Sequence, residues 1–201
     1  MARRSLLFVL RWLQRALFVS GVACVTWLYI SWKDATFYQL YARTQLQQIV
    51  RRVPAAGHPR LPASLDPSES VVGLLEVPRL DVSVIVAEGD GDAMLRVAAG
   101  HLSDTPLPWE EGNTSIAGHR DTFFRALRDL RVGDDVRIVT GHGTFDYRVS
   151  RTVIVGPHDV SVLRPDDGTA LTLITCFPFT YLGDAPQRFI VQAERVAPSG
   201  T

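Results

Sequence analysis

Cysteine is nearly missing from this chain: two occur among 201 residues, Cys24 and Cys176. Cys24 lies in an apolar stretch near the N-terminus and Cys176 close to the C-terminus, so a disulfide framework is excluded as the organising device. Neither belongs to a Cys-x-x-Cys motif, and no pair among the five histidines has metal-ligand spacing. No metal and no cofactor is therefore expected. Acid is absent from residues 1–32, which hold Arg3, Arg4, Arg11 and Arg15. All 21 acidic residues fall in the remainder, against 17 basic ones, and that body is net −4. A nucleic-acid binder concentrates positive charge on one face, so this balance argues against one. No internal repeat is visible. What the chain does have is an apolar fraction of 46%, enough for a real core and inconsistent with global disorder.

Residues 16–32 (ALFVSGVACVTWLYISW) carry no charge. As a helix they span about 25 Å, slightly short of a bilayer core of about 30 Å. Leu6 to Leu10 and the stems of Arg11 and Arg15 extend that reach. Arginines precede the run, and Trp27, Tyr29 and Trp32 sit at its far end, where aromatic rings suit the outer interface. The positive-inside rule then predicts a cytoplasmic N-terminus and an extracytoplasmic body. A cleaved signal peptide competes, because Gly21-Val22-Ala23 before Cys24 offers a small-x-small site and hints at lipidation. A lipoprotein signal wants a large aliphatic residue where Gly21 stands, and cleavage would leave VTWLYISW exposed. The favoured reading is an uncleaved, single-pass anchor of the cell membrane over 1–33.

Residues 34–52 have Phe37, Leu40, Tyr41, Ile49 and Val50 at broken helical spacing, which predicts a helical continuation. Residues 53–70 are rich in Pro, Ala and Ser and read as a linker, so 34–70 is assigned as stalk and linker. From 71 the texture changes to short β-rich runs: VVGLLEV, VSVIVAE, NTSIAGH, DDVRIVT, TFDYRVS, TVIVG, LTLITCF and RFIVQAERV. Turn residues such as Gly89-Asp90-Gly91 and Gly141-His142-Gly143 separate them. Asp92 to Ala99 and Thr122 to Leu130 look helical instead, the latter with Phe124, Leu127 and Leu130 on one side. Residues 71–201 are thus expected to be all-β dominated, an eight-stranded barrel or sandwich with short helices, preceded by a transmembrane helix.

Three residues bear on chemistry. A lone thiol in an extracytoplasmic domain is unusual, and Cys176 ends an apolar strand; the bland alternative is a buried core cysteine. His119 follows Ile116-Ala117-Gly118, where a strand meets a turn, and an isolated histidine there is more often structural. Arg188 starts the last strand, normally the place of a solvated charge. Together they mean more. A thiolate needs a base or cation beside it, and acyl transfer needs donors where oxyanion charge develops.

The segments around them resemble sortases, most closely class D. Thr172-Leu173-Ile174-Thr175-Cys176 resembles the family's nucleophile strand, Gly118-His119-Arg120-Asp121 its histidine segment, and Arg188 its arginine on the next strand. Phe123-Phe124 and the run Ala185 to Ala193 are similar too, and the resemblance covers about 71–196. It implies the eight-stranded sortase barrel and a cysteine transpeptidase. Cys176 would attack an LPxTG-like sorting signal of a secreted partner protein, between Thr and Gly. His119 would pass protons, and Arg188 would bind the substrate backbone or oxyanion. The acceptor would be an amine, such as a peptidoglycan cross-bridge or a pilin lysine. Thr175 is expected to help form the oxyanion site, and Phe177, Phe179 and Tyr181 to line an apolar groove; covering the barrel edge is an equal reading for any one of these aromatics. The connection 156–170 and the loop 177–187 are the expected specificity elements.

Other readings weigh less. Papain-like chains place Cys before His, the reverse of the order here. An L,D-transpeptidase would cluster Gly and Cys-Arg around the nucleophile, whereas Phe177-Pro178-Phe179 follows Cys176. A tethered barrel that only binds a peptide tail would tolerate Cys176→Ser. His101 is assigned a structural role, and Glu88, Asp90 and Asp92 a solvated turn rather than a calcium loop.

Overall fold

The structure, a computed structural model, describes residues 2–52, 71–163, 169–180 and 183–196. The expected linker 53–70, part of the connection before the cysteine strand and Tyr181 lie outside the described residues. The chain divides into two units, Met1–Phe37 and Tyr38–Thr201.

The first unit belongs to helix α1 (Ala2–Arg52), which exposes apolar side chains such as Leu17, Phe18, Val25, Trp27 and Leu28. Among the described residues no helix is long and apolar enough to cross a membrane. The uncharged run of residues 16–32 is shorter than the roughly 20 residues a span requires.

The second unit starts with the later part of α1. Gln39 uses both ends of its amide, donating to the Val97 carbonyl at 2.6 Å and accepting from the Ile85 N–H at 3.0 Å. Tyr38 packs against Ile85, Ala87 and Ala98. Eight strands follow: β1 (Val71–Val77), β2 (Val82–Glu88), β3 (Ala99–His101), β4 (Asn113–Ala117), β5 (Asp135–Thr140), β6 (Gly143–Val155), β7 (Ala170–Phe177) and β8 (Gln187–Arg195). They close into a barrel in the order β1-β2-β3-β4-β7-β8-β6-β5. The pairs β2–β3 and β4–β7 are parallel, and every other neighbouring pair is antiparallel.

Strand alternation builds the core. Leu75 and Val77, Val84 and Val86, Val136 and Ile138, Leu171 and Leu173, and Val191 and Ala193 all point inward and are buried. Each of these valines, leucines and isoleucines contributes about 1.5–3 kcal/mol by leaving water. The segment after β4 crosses one end of the barrel and adds Phe124, Leu127 and Leu130 to the same core. It is a 3₁₀ helix over Arg125–Asp129 and not an α-helix. Its apolar residues recur every third position, which suits three residues per turn.

Two strand expectations change. The runs TFDYRVS and TVIVG are one strand, β6, with an irregularity between Val149 and Arg151. The eighth strand is β3, which takes Ala99 from the end of the predicted helix; α2 spans only Asp92–Leu95. Ala98 and Ala99 are fully buried, and barrel closure outweighs their helix propensity. His101 in β3 is also buried, with Nδ1 2.8 Å from Glu88 and Nε2 3.2 Å from the Pro106 carbonyl.

A two-armed ion pair fixes the turn between β1 and β2. Arg79 donates to both carboxylate oxygens of Asp134 and to the Asp129 carbonyl at 2.6 Å. The Asp134 side chain is only 9% exposed. The hydrogen bonds from Arg79 hold its carboxyl below the ordinary range, and the Arg131 N–H adds to this. A depressed folded-state pKa stabilises the protein above the unfolded carboxylate range, and the effect is lost as pH falls through the folded value. Asp134→Asn should therefore lower the Tm by a few degrees at neutral pH. Melting curves of the two proteins should converge in acid; a gap that stays constant down to strongly acid pH would rule this linkage out.

Candidate active site

The strand directions bring three of the expected residues to one end of the barrel. β7 and β8 pair antiparallel, and Cys176 stands directly opposite Arg188. Opposite residues in such a ladder share a face, with Cβ atoms about 4.5–5.5 Å apart. On the other side of β7, the parallel ladder with β4 ends at Ala117 opposite Ile174. The Gly118 N–H extends it by donating to the Ile174 carbonyl at 3.0 Å. His119 follows Gly118 directly, at the end of the barrel where Cys176 lies near the end of β7. Cys176 thus shares a face with Arg188, and the histidine segment lies just past the end of β4, the strand on the other side of β7.

All three side chains are partly accessible. Arg188 donates one guanidinium nitrogen to the carbonyls of Ala185 and Gln187, at 3.1 and 3.0 Å. That contact folds its stem along the start of β8 and leaves other donors of the fork for a ligand. His119 has no side-chain partner among the described residues. The arrangement suits acyl transfer: a thiol nucleophile, a proton carrier, and a cation beside the reacting carbon.

Thr175 and Phe177 occupy the other face of β7, because strand neighbours alternate. Thr175 is buried and donates its hydroxyl to the Gly118 carbonyl at 2.7 Å. That hydroxyl braces the turn that carries His119. Phe177 stacks on Phe189, with ring centroids 6.5 Å apart, and Phe179 meets Phe189 edge-on at 5.4 Å. The three rings form one aromatic cluster where β7 ends and β8 begins. Arg120 ties that loop to the histidine segment by donating to the Gly183 carbonyl at 2.9 Å.

Two supports were not legible as such in the sequence. A Cβ on Gly118 would lie 2.7 Å from the Phe124 ring, so only glycine lets that buried ring pack beneath the histidine turn. The Phe124 N–H in turn donates to the His119 carbonyl at 3.1 Å. The signal was present in Gly118-His119 and Phe123-Phe124, but nothing local says that ring and glycine meet. Gly118→Ala should cost about 1–3 kcal/mol through overpacking and reduce turnover about tenfold or more by displacing His119. A Tm and turnover equal to those of wild type would contradict this.

The Cys176 face of β7 continues through Ile174 and Thr172 into a polar cleft of about 410 Å3. Asn113, Thr172, Gln192 and Arg151 are among its walls. It starts about 13 Å from Cys176, at about 3.3 Å per strand residue. The segment before β7 lies over this face: the Val162 carbonyl accepts from Asn113 at 3.2 Å and from Gln192 at 3.4 Å.

Comparison with known proteins agrees with this geometry. A family model described as the Sortase domain matches residues 75–196. Sortase D of Bacillus subtilis is 37% identical over 125 residues, covering 62% of this chain and 63% of the relative. The chain thus spans just under two thirds of that relative's length. A Clostridium perfringens Sortase D5 transpeptidase has a solved structure that is 31% identical with a TM-score of 0.58, covering 63% of this chain and 79% of that one. Sortase C-3 of Streptococcus pneumoniae is 27% identical with a TM-score of 0.61, covering 83% and 84%. The barrel, the strand-end cysteine with its two neighbours and these similarities lead to one conclusion: the chain belongs to the sortase family of cysteine transpeptidases.

Proposed function

We propose that this chain is a membrane-anchored sortase that cleaves an LPxTG-like sorting signal and transfers the acyl part to an amine. The observation that supports it most is the register pairing of Cys176 with Arg188, with His119 two residues beyond the end of the adjoining strand β4. The Cys176 thiolate attacks the carbonyl between Thr and Gly of the signal. The oxyanion takes hydrogen bonds from Arg188, whose planar fork suits two acceptors at once. His119 protonates the leaving amine, and a thioacyl enzyme forms. An incoming amine then attacks the thioester and gives its proton to His119, and the Cys176 thiolate is released. The signal's upstream residues lie along the Cys176 face towards Thr172, where Phe177, Phe179 and Tyr181 contribute apolar contacts. The partner is a secreted protein with a C-terminal signal, and the acceptor is a cross-bridge or pilin amine on the cell surface.

The exposed apolar side chains of α1 and the arginines that precede its uncharged run support a membrane seat, with the barrel outside the cytoplasm and 34–70 as its stalk and linker. The full chain should stay with membranes through alkaline carbonate washing, and its release would refute an anchor. The catalytic reading is tested by incubating the detergent-solubilised chain with LPxTG-like peptides and diglycine while following intact mass. The expected result is an adduct equal to the acyl fragment on Cys176 and a ligated product. Peptide binding without any adduct, across the whole panel, would replace the enzyme with a peptide-binding module.

A further inference from the structure

His119 makes no side-chain hydrogen bond among the described residues, so its backbone sets where the imidazole stands. Two bonds tie that backbone to the barrel. The Thr175 hydroxyl donates to the Gly118 carbonyl, and the Phe124 N–H donates to the His119 carbonyl. A third bond reaches across to another segment. Arg120, the next residue, donates Nη2 to the Gly183 carbonyl at 2.9 Å. Gly183 lies in the connection between β7 and β8, four residues before Gln187, where β8 starts.

That connection has little else to hold it. Pro178 and Pro186 bring no N–H. Among the described residues, 178–180 and 183–186 make no backbone–backbone hydrogen bond. Phe179 anchors the first part against Phe189. The second part, Gly183 to Gln187, is held by two guanidiniums. Arg120 takes the Gly183 carbonyl, and Arg188 takes those of Ala185 and Gln187 at 3.1 and 3.0 Å. The backbone from Gly183 to Ala185 therefore links the histidine turn to the arginine that stands opposite Cys176. Gly183 has φ 92°, and a Cβ there would meet nothing within 4 Å. Glycine is required at this point by the backbone conformation and not by space.

From these bonds we infer that Arg120 is a positioning residue of the reaction. Through Gly183 it holds the histidine turn at a fixed place relative to Arg188, and so aims His119 at the leaving nitrogen. The inference rests on the transpeptidase reading above. Arg120 acts through His119 and touches no reacting atom. In acylation the C–S bond to Cys176 forms, the C–N bond of the signal breaks, and the nitrogen takes its proton from His119. A thioester in place of that amide changes one requirement. Its own C–S bond breaks with the electron pair leaving on sulfur, and a thiolate departs without a proton from His119. Attack by Cys176 and the oxyanion beside Arg188 are common to both substrates.

The test compares single-turnover acylation of the detergent-solubilised full chain by an LPxTG-like peptide and by its analogue with a Thr–Gly thioester. Arg120→Ala should slow acylation by the amide about tenfold to a hundredfold, the cost of a misplacement of about 1 Å. The thioester rate should stay unchanged. Gly183→Ala, at an exposed position, should give the same amide-specific loss from the other end of the bond. The double variant should lose no more than Arg120→Ala alone, because both changes remove one coupling. Equal losses with amide and thioester, or losses that multiply in the double variant, overturn the assignment. The NMR signal of the His119 ring gives a readout without substrate. Gly183→Ala should shift that signal when Arg120 is present and leave it unmoved in Arg120→Ala. Such a shift with no acyl adduct in wild type would keep the link to the histidine turn and reject the transpeptidase. An unmoved signal rejects the positioning role whether or not an adduct forms.

Discussion

Cys176→Ala should abolish both the thioacyl adduct and the ligated product, a loss of about 10⁴-fold or more. The effect is large because no other described side chain on that face offers a sulfur or a base-activated oxygen opposite Arg188. Thr172 is nearest in kind, but it is buried and its hydroxyl donates to Asn113 at 2.8 Å. Folding should be spared, since Cys176 is partly exposed and lies outside the core. The Tm of the variant should stay within a few degrees of wild type, and peptide binding should persist. Activity retained in Cys176→Ala would move the chemistry elsewhere. Activity lost together with the fold would contradict the position assigned to the residue.

Arg188→Ala should reduce turnover by about 10²–10³-fold, the range seen when one oxyanion donor is removed. The loss should fall mainly on kcat, because the charge that Arg188 meets develops only as the thiolate adds to the carbonyl. Arg188→Lys should not restore it. A lysine ammonium is a point charge on a flexible stem and cannot both grip the Ala185 and Gln187 carbonyls and present a second donor forward. Single-turnover and steady-state kinetics separate the cases. A pure rise in KM would make Arg188 a binding residue for the signal, and rescue by lysine would reduce its role to charge alone.

Much of this protein was legible before folding, though not always for the right local reason. Eight strands were expected and eight are present, yet two expected runs merge into β6 and β3 fills the vacancy. β3 is three residues, Ala99-Gly100-His101, without apolar alternation or β-branched side chains, so no local pattern marks it. It is a strand because β2 and β4 lie on either side with unpaired backbone groups. Likewise the apolar spacing of Phe124, Leu127 and Leu130 announced a buried face correctly but left open which helix type would bury it. At the site, Cys176, His119 and Arg188 were candidates by residue type and strand-end position, and their roles came from the resemblance to sortases. Gly118 under the Phe124 ring, and Thr175 turned to the Gly118 carbonyl, were not.

The sequence by itself determined the chemical cast and its order, the inward faces of the long strands, and the uneven charge that separates the basic N-terminus from the acidic body. These are local properties: side-chain identity, and a period of two that any strand obeys. Only the tertiary structure decided which residues meet. A slip of one residue between β7 and β8 would turn Arg188 to the opposite face from Cys176, and a slip between β4 and β7 would shift the turn that carries His119 along β7. Those registers are set by closing the barrel across strands far apart in the chain, a condition that no single segment carries.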